Sequence, residues 1–239
     1  AFSDAILDSI LAQDNESHVA CESLATKGLV VISGEVRTNA TIDVAKVVKD
    51  TIKEIGYNKN NSGVDPSNIE VLSKLHAQSP EIAQGVDSED LASQGAGDQG
   101  LMFGYACKET PELMPLPIQI SHRLTEKLTD LRKSGDLKWL RPDGKSQVSV
   151  AYENGSPASI EKTVIATQHD DMVKEYGSEE SELKFVEKEV INRVIKPVLD
   201  SYGYPYSENF IVNGTGRFVY GGPEADTGLT GRKIIVDTY

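Results

Sequence analysis

The chain has 239 residues and a mass of 26.0 kDa, enough for one large or two ordinary domains. Its net charge of −13 and isoelectric point near 4.8 exclude the basic surface of a sequence-blind nucleic-acid binder. An anionic ligand must therefore be held by local cations or metal, against the overall field. Cys21 and Cys107 are too few and too far apart for a disulfide framework or a metal site, so a reducing compartment is expected. No apolar run could span a bilayer and no leader opens the sequence, which predicts a soluble, cytoplasmic protein with no membrane partner.

The first part of the chain predicts a helix, a hairpin, a second helix and a strand. Ser3 is a candidate helix cap, and four apolar residues after it share one helical face: Ile6, Leu7, Ile10 and Leu11. Strand-like runs follow at 18–24 and 28–36. Valines and isoleucines between 44 and 55 have the spacing of an amphipathic helix that ends at Gly56. A short strand is predicted at 69–75.

The second part repeats this order. Helical spacing relates four apolar residues before Gly135, namely Ile120, Leu124, Leu128 and Leu131. Alternation at Val148, Val150 and Tyr152 leads to Asn154-Gly155, a strong hairpin signal. The return strand carries Ile160, Val164 and Ile165. A further helix then carries Leu183, Val186, Val190, Ile191 and Val194, and a strand follows at 210–212.

Antiparallel hairpins covered by helices on one face are typical of an α+β fold. The polar segment 78–99 separates the two repeats. The repeated order by itself is also compatible with coincidence, because β-rich domains often share it.

The most informative string is Gln-Gly-Ala-Gly-Asp-Gln-Gly-Leu-Met-Phe-Gly-Tyr-Ala-Cys at 94–107. Glycines let the backbone approach a ligand closely, and the carboxylate of Asp98 among them could hold an amino group. By composition alone, a Gly-rich turn before a strand is an equal alternative. The hexapeptide at 95–100 resembles the signature of the S-adenosylmethionine synthetases (methionine adenosyltransferases) of bacterial type. Other blocks that resemble this family occur in the family's order at 19–22, 34–35, 78–80, 84–87, 139–148, 214–219 and 226–239.

This resemblance implies three similar domains around a pseudo-threefold axis, each a mixed or antiparallel sheet backed by helices. It implies an N-terminal domain at 1–77 without its first strand, a flexible gate or linker at 78–94, and a central domain at 95–221. Residues 222–239 would begin a C-terminal domain. The partners implied are ATP, L-methionine and the protein itself, as a homodimer that pairs into a homotetramer.

The reaction that the resemblance implies is an in-line attack of the methionine sulfur on C5′ of ATP, followed by hydrolysis of the released triphosphate. The products are S-adenosylmethionine, phosphate and diphosphate. Sulfur is a good neutral nucleophile, so no base is needed. Catalysis then depends on aligning the two substrates and on stabilising the charge that develops on the leaving group.

Several residues resemble the family's ATP contacts. Asp143, Gly144 and Lys145 match an ATP-contacting triplet in which the lysine is catalytic, although a Pro-Asp-Gly turn with a solvated lysine fits the local residues equally well. Arg217 and Phe218 match the pair at the adenine, with the ring stacked on the base and the arginine nearby. From pattern alone we favour a strand with Phe218 in the core.

The last segment carries three more of these residues. Arg232 and Lys233 match the paired catalytic cations at the triphosphate, and their alternative is a hairpin loop that leads into a strand. Asp226 matches a residue that touches both the ribose and the methionine ammonium.

For methionine, the resemblance points to Glu35, Gln78 and Asp98 besides Asp226. Glu22 resembles the family's potassium ligand, and its alternative is an outward-facing strand residue. The cofactors implied are K⁺ and Mg²⁺, with the main Mg²⁺ ligand expected outside this chain.

Two features depart from the family pattern. Members begin with a strand and a Ser-Glu-Gly-His-Pro-Asp-Lys motif, which carries a catalytic histidine and a magnesium-binding aspartate, whereas this sequence begins just past that point at Ala1. They also continue beyond Tyr239 into a lysine-bearing segment. None of the chain's histidines lies in such a motif, and all are interpreted as structural or surface residues: His18, His76, His122 and His169. These departures imply an internal part of the enzyme that is inactive on its own.

Two other interpretations remain open. The chain could be a non-catalytic nucleotide-binding module or partner subunit with the same fold. It could also be an unrelated ATP-using α+β protein. The intact mass of the native protein would distinguish a fragment of an enzyme from a natural short module.

Overall fold

The computed structural model of the chain describes residues 1–57, 64–78, 95 and 100–234. Within them, two mixed sheets each pack against helices, which confirms the predicted α+β class. No helix in these described parts is both long and apolar enough to cross a membrane.

The first unit contains the helices α1 (Phe2–Leu11) and α2 (Val44–Ile55) and the strands β1 (His18–Thr26), β2 (Leu29–Arg37) and β3 (Glu70–Ala77). β1 and β2 form an antiparallel hairpin, and β3 lies parallel to β2. The Asp43 side chain caps α2, and Gly56 ends it in the left-handed conformation at φ 104°. The core between sheet and helices contains Ile6, Ile10, Val30, Ile32, Val48 and Ile52.

The second unit repeats this topology at larger size. It contains α3 (Leu116–Lys133), β4 (Leu140–Glu153), β5 (Ser156–His169), α4 (Val173–Tyr176), α5 (Glu179–Val190), α6 (Lys196–Tyr202) and β6 (Phe210–Val212). β4 and β5 are antiparallel, and β6 is parallel to β5. Asn154 and Gly155, at φ 50° and 79°, form the predicted tight turn. The core contains Leu116, Ile120, Leu124, Ile160, Ile165, Val186, Val190, Val194 and Leu199.

Both units therefore have a hairpin, a helical crossover and a strand parallel to the second hairpin strand. The repeated order in the sequence thus corresponds to a repeated topology. After β6 the chain returns to the first sheet, where β7 (Gly228–Leu229) pairs with Leu24 and Ala25 at the edge of β1.

One local prediction was wrong, and one predicted helix continues further than expected. Ser3 does not cap α1, whose N-cap is Ala1; its hydroxyl lies within hydrogen-bonding distance of the Ser23 and Thr230 hydroxyls instead. The helix predicted through residue 194 is longer, because a π-helical turn at Ile191–Ile195 joins α5 to α6. The domain boundaries remain predictions, and the expected gate at 78–94 lies outside the described residues except for Gln78.

Close packing of the first hairpin requires Gly34. Gly34 has φ +137°, and a Cβ there would overlap the carbonyl oxygen of Ala20 on β1. We expect Gly34→Ala to lower the free energy of unfolding by at least about 2 kcal/mol, measured by denaturant titration. Gly28→Ala is the matched control: φ is also positive, at +72°, but no atom lies within 4 Å. It should cost about 1 kcal/mol, from backbone strain alone. Equal costs would show that the approach to Ala20 does not matter.

Candidate active site

The predicted triplet Asp143, Gly144 and Lys145 lies inside β4, not in a Pro-Asp-Gly turn. Gly144 is opposite Thr167 and Lys145 is opposite Ala166 on β5, after an irregularity in the pairing that begins at Leu140. The local sequence did not reveal this, because the pairing with β5 extends the strand back through the proline. Lys145 is exposed, so its ammonium is free to meet a ligand at the sheet surface.

Asp143 has a second role in the fold. Its Oδ2 accepts a hydrogen bond of 2.8 Å from the backbone N–H of Gly222, which ties β4 to the segment that follows Phe218. Gly221 and Gly222 permit this close approach. A Cβ on Gly221 would meet Gln168, Phe218 and Asp143, and a Cβ on Gly222 would overlap the Tyr57 hydroxyl.

Phe218 is half-buried and lies outside any strand, unlike the core strand that its pattern favoured. Its backbone is held by His169, a fully buried residue at the end of β5. The His169 N–H donates to the Phe218 carbonyl at 2.9 Å, and the Phe218 N–H donates to His169 Nε2 at 3.2 Å. Nδ1 lies 2.7 Å from the Asp170 carbonyl, so the proton is on Nδ1 and Nε2 is free to accept. The buried Gln168 extends this clamp by donating to the Val219 carbonyl at 2.9 Å.

Arg217 is surrounded by carboxylates. Its Nε lies 2.6 Å from Glu182 Oε2, Nη2 lies 2.7 Å from Asp171 Oδ1, and Nη1 lies 3.3 Å from Glu179 Oε1. The hydrogen bonds to these acids, above all to Glu182, raise the pKa of the Arg217 guanidinium. Glu182 is fully buried and also accepts from the Met172 N–H at 2.5 Å.

The residues predicted at the triphosphate lie in an exposed segment after β7. Arg232 and Lys233 are exposed, and Lys233 lines a cavity of about 390 Å³ beside α1 and β1. The wall of this cavity includes the hydroxyls of Ser3, Ser23 and Thr230, which lie 3.0–3.3 Å from one another. Asp226 is also exposed, and its Oδ1 accepts from the Thr227 N–H.

The register of the first sheet places three predicted residues on one face. Glu35 is opposite Ala20 on β1 and His76 on β3; Glu22 lies two residues after Ala20, and Gln78 lies two after His76. This face is opposite the one that carries the core residues of β2. Glu35 is half-buried and Glu22 is exposed.

Gln78 has an orphaned acceptor. Its Oε1 is buried, and among the described residues it has no hydrogen-bond partner. A buried acceptor left unpaired is costly, so a donor from a ligand would stabilise it. Asp98 lies outside the described residues.

The described residues do not fit a Mg²⁺ site. In the ranges that the structure covers, no group of three or more His, Cys, Asp or Glu side chains is arranged around a common point. Glu22, the residue predicted to bind K⁺, is a single exposed carboxylate.

A wider cleft of about 650 Å³ lies elsewhere, between α3 and α6. None of the predicted site residues lines it. Its polar lining includes Arg123, whose guanidinium already pairs with Glu112 and Glu126.

Sequence reasoning missed Glu182 and Gln168, and it gave His169 no specific role. Glu182 lies in Glu-Glu-Ser-Glu at the start of α5, a pattern typical of a solvated first turn. No local signal marks which of these acids is buried.

Tyr57 joins the first unit to this site. Burial, with a smaller contribution from the nearby Asp143 carboxylate, raises the pKa of Tyr57 to about 12 from its ordinary value of 10.0. The unfolded chain therefore releases this proton at lower pH than the native chain does. We expect the free energy of unfolding to fall as pH rises from 10 to 12, and Tyr57→Phe to make that fall shallower. Denaturant titrations across this range test it, with the exposed Tyr220→Phe as control. Identical slopes for wild type and Tyr57→Phe would contradict it.

Comparison with known proteins now relates this geometry to a family. Residues 1–80 match the family model of the S-adenosylmethionine synthetase N-terminal domain, and residues 93–218 match that of the S-adenosylmethionine synthetase central domain. The two matches follow each other along most of the chain, each on a unit with its own sheet and core. The chain belongs to the S-adenosylmethionine synthetase family.

Proposed function

We propose that this protein is a methionine adenosyltransferase, which converts ATP, L-methionine and water into S-adenosylmethionine, phosphate and diphosphate. The observation that carries the proposal is the match to both domain models, in order, over residues 1–80 and 93–218. The methionine sulfur attacks C5′ of ATP in line with the departing triphosphate. The protein aligns the two substrates and stabilises the negative charge that leaves with the triphosphate.

The adenine is proposed to stack on Phe218. An aromatic ring suits any base face, and stacking is worth about 1–3 kcal/mol per base. The hydrogen bonds between His169 and Phe218 support this role, because they hold both the N–H and the carbonyl of the Phe218 backbone. Asp143 is proposed to contact the nucleotide beside it, while its Oδ2 keeps the Gly222 N–H.

The triphosphate is proposed to meet Lys145, Arg232 and Lys233. All three side chains are exposed. In a chain of net charge −13, such local cations are what an anionic ligand needs. Arg232 is further assigned to the hydrolysis of the triphosphate, where a fixed guanidinium stabilises charge on the phosphate oxygens.

Methionine is proposed to bind with its ammonium near Glu35, Gln78, Asp98 and Asp226. The buried Oε1 of Gln78, which has no hydrogen-bond partner among the described residues, supports this, because an ammonium group would supply a donor. Glu35 lies on the same face of the sheet and would add the negative charge that distinguishes methionine from a ligand without an amine.

Mg²⁺ and K⁺ are proposed as cofactors. Mg²⁺ would neutralise charge on the triphosphate, with its main ligand outside the described residues, and Glu22 would provide one ligand to K⁺. The protein is proposed to assemble as a homodimer that pairs into a homotetramer.

The test of this function is direct. The full-length protein, supplied with ATP, methionine, Mg²⁺ and K⁺, should form S-adenosylmethionine, detected by mass spectrometry, together with phosphate and diphosphate. Tight ATP binding without any product would contradict the proposal and favour a non-catalytic nucleotide-binding module.

Lys145→Ala in the full-length protein should lower kcat about tenfold or more and leave the KM for methionine nearly unchanged. The reason is the loss of one charge-assisted contact to phosphate, which costs about 1.5–3 kcal/mol. Steady-state kinetics in both substrates measure it. Lys138→Ala, which removes an exposed lysine just before β4, is the matched control. An unchanged kcat would leave Lys145 as a solvated strand residue.

Phe218→Leu should weaken the binding of a non-hydrolysable ATP analogue by about 1–3 kcal/mol, because it removes the stacking ring and keeps an apolar side chain. Isothermal titration calorimetry measures the change, and Phe218→Tyr, which keeps the ring, should bind almost as the wild type does. The proposed stacking fails if Phe218→Leu and Phe218→Tyr bind the analogue equally well.

A further inference from the structure

Building on the proposed function, we infer that the side chain of Arg217 does not bind the nucleotide but anchors the backbone of Phe218, and that Glu182 is the positioning residue that holds this anchor. At the proposed adenine site, Phe218 would then be the ligand contact, and Arg217 would be a structural tether.

The Arg217 guanidinium is already paired with carboxylates. Each of its three nitrogens has a carboxylate partner within 3.3 Å: Nε has Glu182, Nη2 has Asp171 and Nη1 has Glu179. The Arg217 side chain is only 23% exposed, whereas Asp171 and Glu179 are 62% and 69% exposed. The guanidinium is therefore turned into the protein, and Asp171 and Glu179 lie outside it at the surface.

The charges around Arg217 disfavour a phosphate there. Around one cation the structure places three carboxylates, so the local charge is negative. A triphosphate that approached Arg217 would meet the exposed carboxylates of Asp171 and Glu179 first. Repulsion between like charges disfavours phosphate at this position. The positive charge of Arg217 is therefore already neutralised within the fold.

Glu182 is buried beside Arg217. It has no exposed surface, and its two oxygens accept from Arg217 Nε and from the Met172 N–H. A buried carboxylate without its partner is strongly destabilising, so Glu182 and Arg217 require each other. α5 therefore determines where the backbone of residue 217 lies.

The adjacent residue receives this constraint. Arg217 is fixed through its side chain to α5, and Phe218 is fixed through its backbone to His169 at the end of β5. With both attachments in place, the Phe218 ring has a defined position before any ligand binds. Such preorganisation favours binding because less conformational freedom is lost.

A double-mutant cycle in the full-length protein tests this inference. The variants are Glu182→Gln, Arg217→Gln and the double variant, with Glu187→Gln on the exposed face of α5 as control. The probes are adenosine and a non-hydrolysable ATP analogue, measured by calorimetry, and the KM for methionine. Thermal unfolding confirms that each variant is folded.

We expect each single variant to weaken the binding of adenosine and the binding of the ATP analogue by the same factor, about tenfold. The double variant should be no worse than either single variant, and the KM for methionine and the control should not change. A loss for the ATP analogue that exceeds the loss for adenosine would show that Arg217 contacts phosphate and would overturn the inference. Additive effects, or wild-type binding by Glu182→Gln, would overturn it as well.

If Arg217→Gln or Glu182→Gln fails to fold, Asp171→Asn takes the place of the cycle, because Asp171 is exposed and its substitution leaves no buried charge unpaired. Asp171→Asn should weaken the binding of both probes by the same factor, smaller than tenfold. Unequal factors would again overturn the inference. If the variants show this pattern but the wild-type protein forms no S-adenosylmethionine, the proposed function is disproved and the role of Glu182 stands.

Discussion

Hydrogen bonds between the backbone of residues 218–222 and the side chains of Asp143, Gln168 and His169 hold the candidate site together. Gln168 and His169 at the end of β5 bind the backbone of Val219 and Phe218, and Asp143 on β4 binds that of Gly222. A buried polar group without a partner is costly, so these side chains and this segment stabilise each other. The path of the chain from the second sheet back to the first depends on this set of contacts.

The same segment joins the two units. Gly222 lies against Tyr57, directly after α2, and Arg132 of α3 donates to the Ile55 carbonyl at 2.8 Å. Arg132 is half-buried at this junction, and this burial lowers the pKa of its guanidinium. Lys27 and Glu224 form a further ion pair between the first hairpin and this segment.

Residues that a local motif groups together have different surroundings in the structure. Phe218 is half-buried, whereas the adjacent Arg217 is enclosed by acids. Lys145 is exposed, whereas Asp143, two positions earlier, accepts a hydrogen bond from the Gly222 backbone. In an extended segment, successive side chains face opposite sides, which separates the surroundings of Arg217 from those of Phe218. In the proposed function, this separation would let one residue of a short motif contact the ligand while the other fixes its position.

The sequence by itself determined the local elements. The spacing of apolar residues gave α2 and α3, and Asn154-Gly155 gave the second hairpin, because periodicity and turn preference depend on near neighbours. Resemblance to a family supplied the candidate residues, whose roles remain predictions. Only the tertiary structure decided the parallel pairing of β3 with β2 and of β6 with β5. It also decided that Glu182 is buried against Arg217 and that Asp143 binds Gly222, 79 positions away. Such contacts depend on packing between distant segments, and no local pattern encodes which acid is enclosed and which remains in water.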